Sequence, residues 1–356
     1  PAKDFPEVRD YTNIYNNFKQ IDIINLIDFV QVKSNFMSEF THIIEKYTKT
    51  EMNEIVLNAC LIALGTNIGL KKMADISNVR YYELVNCYKN FIRLDTLNKA
   101  NDIIVNQIQE MKIFKYFNID ESNLHSSSDG QKFGTQYEHI NSRYSPKYFG
   151  LEKGISNYSL IANHIPIYAK NIGAHEHESH YVFDILFNNT SNINPQIHST
   201  DSHGINQVNF AVLDFFNHKF APRPRDIKKK ENTFVAFNYP SQYKHLIIKP
   251  NQKVKTELIK SQWNEIKRII ISLALKTTSQ SALIRKLSSY SRKSHVQKAL
   301  WEYDKIISTL HYLEYLDSQS YRKNIHKSLN RAENYHKMKR AIFHENKGKF
   351  RVHTEV

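Results

Sequence analysis

Cysteine is nearly absent: Cys60 and Cys87 are the only two in 356 residues. They sit in helical-looking segments without Cys-x-x-Cys spacing and are no disulfide framework, so a reducing cytoplasm is expected. Glycine and proline are scarce, nine of each. No glycine-rich phosphate loop is present, which argues against an ATPase or a nicotinamide enzyme. Long apolar runs are missing too. The longest, Ile55–Gly65, is interrupted by Asn58 and is too short to span a bilayer. The first 20 residues are polar and of mixed charge, so no secretory leader is expected. Acidic residues are sparse in one half only. Residues 221–356 carry 11 Asp+Glu against 29 Lys+Arg, whereas residues 1–220 carry 24 against 20. The net charge of +14 therefore comes from the C-terminal part. Such a block attracts nucleic acid phosphates, although a basic surface also serves solubility alone.

What is present is a globular composition, 41% hydrophobic with 21 Tyr and 20 Phe, long enough for two or three domains. Residues 1–120 read as a helical scaffold. Helices are expected over Ile21–Phe29, Lys33–Lys49, Thr50–Gly65, Leu70–Asp75, Val79–Ile92 and Leu94–Lys112, because apolar residues recur at helical spacing. Leu84, Cys87, Tyr88 and Phe91 are one such stripe. Near residue 121 the texture changes. Ser126–Gly130 reads as a turn ending a short strand. Arg143–Tyr148, Ile155–Tyr158, Ile165–Tyr168 and Gln196–Thr200 read as strands, with helices over Glu178–Asn188 and Gly204–Phe216. Phe220–Arg225 reads as an edge strand, demoted by its two prolines. Helices return over Val254–Leu275, Ser279–Tyr290 and His295–Leu316, and a last one spans roughly Ile325–Phe343. Trp263, Ile266, Ile270 and Leu273 read as core of this block. The expected class is α+β, with boundaries at 1–120 (scaffold), 121–230 (sheet with helices), 231–326 (helical insertion) and 327–356 (returning helix and chain end).

Three carboxylates stand out. Asp129 follows a small-residue strand, where a side chain points out of a sheet edge toward ligands; Asp-Gly is also an ordinary turn. Asp201 follows another strand and opens a helix, so it is a candidate ligand or a plain N-cap. On neighbouring strands the two could share a hard divalent cation. Glu333 shares a helix face with His336, Lys337 and Arg340, at i, i+3, i+4 and i+7. That pattern is a solvated face with a Glu–Lys pair, or a carboxylate among phosphate-binding cations. His175–His180 invites a zinc reading, but the His-Glu-x-x-His spacing places Ser179 and Tyr181 where the second histidine belongs, so a polar helix start is expected.

Several blocks occur in one order: Thr66–Ala74, Ser128–Phe133, Arg143–Gly150, Thr200–Gly204, Phe220–Arg223 and Asn330–His336. Together they resemble the transposases of the Tn-three family, from about residue 20 to the end. The chain has Ser202 where that family usually has Thr, and Ala332 where it usually has Gly. The resemblance implies an RNase H-like mixed sheet with a DDE site, its carboxylates matching Asp129, Asp201 and Glu333. It implies two Mg²⁺ ions, with Mn²⁺ as a substitute, acting on transposon terminal inverted repeats and target DNA in replicative, cointegrate-forming transposition. Self-association on paired ends, a bacterial cytoplasmic setting and no membrane are expected with it. His203, His336, Lys337 and Arg340 would hold the scissile phosphate or orient a ligand; for His203 a helix-start hydrogen bond is the plain alternative. Arg143, Lys147, Arg223, Arg225, Lys228, Lys229 and Lys230 are candidate DNA contacts, or ordinary sheet-face and solvated-loop residues. Family members are much longer than this chain. Two other functions therefore stand beside the first: a DNA-binding piece without catalysis, and an RNase H-like nuclease without joining activity.

Overall fold

The computed structural model describes residues 20–44, 46, 51–137, 140–289 and 294–349. Its first helices are α1 (Ile23–Ser34), α2 (Glu54–Gly65), α3 (Leu70–Ile76), α4 (Tyr81–Phe91), α5 (Leu94–Glu110) and the single turn α6 (Ile113–Tyr116). Asp22 caps α1 through the Asn25 N–H, and Asn53 caps α2 through the N–H groups of Ile55 and Val56. Leu57, Cys60, Leu70, Leu84, Cys87 and Phe91 form their common core. The expected helix over Lys33–Lys49 is overturned in its described part. Asn35 adopts a left-handed φ of 53°, which ends α1, and Phe36–Glu39 is one 3₁₀ turn. Residues 45 and 47–50 lie outside the described residues. Cys60 and Cys87 are buried free thiols.

The 17-residue α5 joins this block to the sheet, because Ala100 packs in the helical core and Val105 in the next one. Asn101 adds a hydrogen bond of 2.8 Å to the Ile167 carbonyl. The sheet has six strands: β1 (His125–Gly134), β2 (Arg143–Tyr144), β3 (Lys153–Ala162), β4 (Ile165–Gly173), β5 (Ile197–Ser199) and β6 (Lys219–Phe220). The order is β2-β3-β1-β5-β6, with β4 also on β3. β1 is antiparallel to β3 and parallel to β5, and β5 is parallel to β6. β3, almost wholly buried, is a central strand. Between the strands lie α7 (Pro146–Phe149), α8 (Val182–Phe187), α9 (Asn209–Phe215) and, after β6, α10 (Ile227–Glu231).

Two strand expectations change. Arg143–Tyr148 keeps only two strand residues, because Pro146 opens α7 at a position that suits its fixed φ and missing N–H. Phe220–Arg225 likewise shrinks to Lys219–Phe220; Pro222 and Pro224 cannot donate to a ladder, although Arg223 N–H still reaches the Thr200 carbonyl at 2.8 Å.

The rest is a β7 (Val235–Ala236), β8 (Gln252–Lys253) pair and the helices α11 (Thr256–Ser261), α12 (Trp263–Ala274), α13 (Gln280–Ser289), α14 (His295–Asp317) and α15 (Gln319–Ile342). Tyr290, expected at the end of α13, lies outside the described residues. Ile266, Leu273, Leu283 and Leu300 bury against Phe183, Val208 and Val212 of the sheet layer, while Trp263 is partly exposed. Ser318 breaks α14 from α15 and caps the latter through the Tyr321 N–H. α15 returns across β1, where Ser127 Oγ donates to the Ser328 carbonyl at 2.7 Å. Among the described residues no helix is long and apolar enough to cross a membrane.

Candidate active site

The serine run of β1 explains how the site is held. Successive side chains of a strand alternate faces. Ser126 and Ser128 grip the two ring nitrogens of fully buried His198 on β5, at 2.9 and 2.8 Å. Ser128 Oγ also meets Tyr158 Oη on β3 at 2.6 Å. Ser127 faces the other way, toward α15. Ser126, Ser128, His198 and Tyr158 are thus paired across three strands, and burial holds His198 far below the usual histidine range.

Parallel pairing of β1 with β5 ends at Ser127↔Ser199, so Asp129 and Asp201 lie at matching positions just beyond it. The expected turn at Asp129–Gly130 is not there: β1 runs on to Gly134, antiparallel to β3. Gly130 has a different reason. A Cβ built on it would stand 2.0 Å from Glu178 Oε1 and 2.8 Å from Ser156 Oγ. The missing side chain admits Glu178, a third carboxylate that sequence reasoning did not select. Glu178 opens the 3₁₀ turn Glu178–Tyr181, in the segment read as a polar helix start.

Burial, then repulsion from Glu178 and Asp201, raises the Asp129 carboxyl to about 7. Burial also raises Glu178, against the attraction of Lys132. Asp201 accepts from the His203 N–H at 2.8 Å and pairs with His203 Nδ1 at 2.7 Å, so it does act as a turn cap and it orients that histidine. Gly204 is required beside it, since a Cβ would lie 2.3 Å from Thr200 Oγ1.

The helix-face expectation for α15 splits. His336 is 4% exposed, with Nδ1 3.5 Å from Asp129 Oδ2 and Nε2 buried without a hydrogen-bond partner. Glu333 is 66% exposed at its side chain, in a loose 4.0 Å pair with Lys337. Burial followed by the charges of Lys339 and Arg340 lowers His336 to about 4. Lys339, also missed, donates to Asn157 Oδ1 at 2.7 Å, and burial lowers its ammonium to about 8 against the pull of Asp129.

A cleft of about 630 Å³ gathers Asp129, Glu178, His203, Glu333, His336 and Arg340, with Lys147 on its rim. Arg143 lines an adjoining hollow with Lys170 and Arg285. Arg223 lies beside the Asp201 edge through its bond to Thr200. Arg225, Lys228 and Lys229 are exposed; Lys229 pairs with Asp226 at 3.7 Å, and Lys230 turns its ammonium over the Tyr312 ring, 5.9 Å from the centroid. Among the described residues, no three His, Cys, Asp or Glu side chains converge tightly enough to hold a metal ion. The oxygen-rich set still fits a hard cation chemically, because Asp129, Glu178 and Asp201 repel one another across a half-buried site.

A mixed α+β protein with aspartates at matching positions of two neighbouring strands, facing a returning helix, is the class that this geometry defines. The chain belongs to the Tn3 transposase DDE domain family, whose model matches residues 25–356. It is similar to the transposase for transposon Tn1546 of Enterococcus faecium, 28% identical over 99% of this chain and 35% of that protein. The transposase for transposon gamma-delta of Escherichia coli (strain K12) is 29% identical over 94% of this chain and 34% of its own length. That for transposon Tn501 of Pseudomonas aeruginosa is 28% identical over 93% and 33%. The chain therefore spans about a third of the length of these curated relatives.

Proposed function

We propose that this chain is the DNA-cutting and DNA-joining core of a bacterial transposase, acting in the cytoplasm at transposon ends and target DNA, with Asp129, Asp201 and Glu333 as its working carboxylates. The observation that carries the reading is the matched position of Asp129 and Asp201 past the last β1–β5 pair. Strand order β4-β3-β1-β5-β6, with β3 antiparallel and β5 and β6 parallel to β1, supports an RNase H-like sheet. Family membership supports the DDE assignment and, through the relatives' names, a role in transposition.

Two Mg²⁺ ions, replaceable by Mn²⁺, would be held by Asp129, Asp201 and Glu333, and would supply an activated oxygen nucleophile and stabilise the leaving oxygen. Asp129 and Asp201 are already brought together by their strands. Glu333 lines the same cleft, exposed and only loosely paired with Lys337, and would turn toward the aspartates. His336 packs against Asp129 and limits its rotamers. His203 steadies Asp201, and Arg340 and Lys337 offer charge to a scissile phosphate from α15. Arg143, Lys147, Arg223, Arg225, Lys228 and Lys229 would follow the DNA backbone. Cutting at paired ends followed by joining to target DNA gives cointegrates, and a second copy on the partner end is expected.

The second reading, a DNA-binding piece without catalysis, is favoured by one observation: among the described residues no three His, Cys, Asp or Glu side chains converge tightly enough to hold a metal ion. Labelled, pre-nicked transposon-end DNA with Mg²⁺ or Mn²⁺ separates them, comparing the chain with Asp201→Ala. Metal-dependent cutting and joining lost in the variant supports the transposase core. Cutting without joining leaves a nuclease. Salt-sensitive binding with no cutting by either protein leaves the binding piece.

A further inference from the structure

One exposed feature of the cleft has no task in the carboxylate chemistry: the lip formed by residues 143–149. Its anchor is Phe149. Gly134 and Gly154 pair across β1 and β3, and the missing side chain of Gly154 makes room for that ring. A Cβ on Gly154 would lie 2.2 Å from Phe149 Cε2, and one on Gly134 would lie 3.8 Å from Phe149 Cδ1. Ser145 is buried beside it. With those two side chains turned inward, Tyr144, Lys147 and Tyr148 are turned out.

Tyr148 is 49% exposed and lines the same cleft as Asp129, Glu178 and Glu333. Two ammonium groups flank its ring: Lys132 Nζ lies 4.7 Å and Lys147 Nζ 5.1 Å from the centroid. Lys132 is itself fixed by donating to the Ala174 carbonyl at 3.3 Å. Tyr144, 58% exposed, carries Lys153 at 5.0 Å in the same manner. Leaving large rings in water forgoes the gain of burying them. Aromatic faces interleaved with cations suit a nucleic acid strand, whose bases stack on the rings while phosphates meet the charges. In an intact duplex both faces of an internal base are already stacked. Only an unpaired base offers a face to Tyr148.

We infer that Tyr148, flanked by Lys132 and Lys147, is a stacking platform for an unpaired nucleotide of the DNA strand entering the Asp129 cleft. This rests on the reading of the cleft as a DNA site, but not on its catalysis. The platform selects DNA that is single-stranded or opened at the cleavage position.

The test is fluorescence of an oligonucleotide carrying one 2-aminopurine, as a single strand and as a duplex, titrated with the 356-residue chain without divalent metal. The single strand should be quenched on binding, and the duplex should not. Tyr148→Ala should abolish the quench and weaken single-strand binding about tenfold, and Tyr148→Phe should retain both. A thermal melt shared by both variants and the parent keeps any loss attributable to the ring. Equal quenching of duplex and single strand, unchanged single-strand binding by Tyr148→Ala, or loss in Tyr148→Phe as well as in Tyr148→Ala would overturn the inference. Cleavage with Mg²⁺ is read separately. Retained stacking without cleavage sinks the catalytic reading and leaves the platform, and cleavage without stacking does the reverse.

Discussion

Gly130 and Glu178 occupy one space: the carboxylate of Glu178 stands where any side chain at residue 130 would begin, 2.0 Å from the ideal Cβ position. An Asp-Gly dipeptide that looks like a turn is, in the folded chain, the gap through which a third carboxylate reaches Asp129. Gly130→Ala should therefore displace Glu178 at a cost of about 1–3 kcal/mol in urea unfolding. Combining it with Glu178→Ala should recover most of that cost. Additive losses in the double variant would show that the two positions do not compete.

Removing the Glu178 charge also bears on Asp129. Burial is the larger cause of its raised carboxyl and Glu178 the next, so Glu178→Gln should lower the Asp129 midpoint from about 7 without returning it to the ordinary carboxylate range. Carboxyl-carbon NMR of the metal-free chain reads this directly. An unmoved or raised midpoint contradicts the assigned repulsion.

Losing a carboxylate that would ligate metal should cost more than losing a supporting group, for which about 10–100-fold is usual. Asp129→Asn and Asp201→Asn should each reduce metal-dependent strand cleavage by more than about a hundredfold. Glu333→Gln should do the same, although its side chain is exposed and held only by a loose pair with Lys337. Near-parental cleavage by Glu333→Gln, with the two aspartate variants inactive, would pass the third role to Glu178.

His311 sets an acid limit on the fold. It is buried with Nε2 donating to the Pro222 carbonyl and Nδ1 accepting from Tyr321 Oη, each at 3.0 Å, so the neutral ring satisfies both contacts. Burial lowers it to about 4 from an ordinary 6.5. A folded-state value below the unfolded one means that the stabilisation is complete above pH 6.5 and is lost as pH falls toward 4, about 3 kcal/mol in all. His311→Gln should flatten the decline of the urea midpoint across that window. An unchanged slope would assign the acid sensitivity elsewhere, for instance to His125 or His198, which are lowered in the same direction.

DNA binding should separate the basic residues by where they sit. Lys147 lines the cleft beside Tyr148, whereas Lys230 lies over Tyr312, outside the lining of the cleft. Lys147→Ala should lower the salt dependence of binding, the slope of log K against log salt, by about 1, and Lys230→Ala should leave it unchanged. Equal effects would mean that Lys230 leaves its ring to meet a phosphate.

The sequence by itself determined the family, the helical and sheet textures, the basic C-terminal part and the carboxylates worth testing. Those signals are local: an apolar period, a proline before a turn, a short motif in a recognisable order. Asn35 shows the reach of local chemistry in the other direction, ending α1 two residues into the segment where the apolar pattern starts a helix at Lys33. The tertiary structure decided what meets what. Helical spacing put His336 and Glu333 on one face of α15, but only packing on β1 decided that His336 is buried beside Asp129 while Glu333 faces solvent. Glu178, Lys339 and Tyr148 carry no local mark, because each acquires its surroundings from a distant segment: a gap at Gly130, a carboxamide on β3, a lysine on β1. Burial and neighbouring charge set their chemistry, and both exist only once the chain has closed on itself.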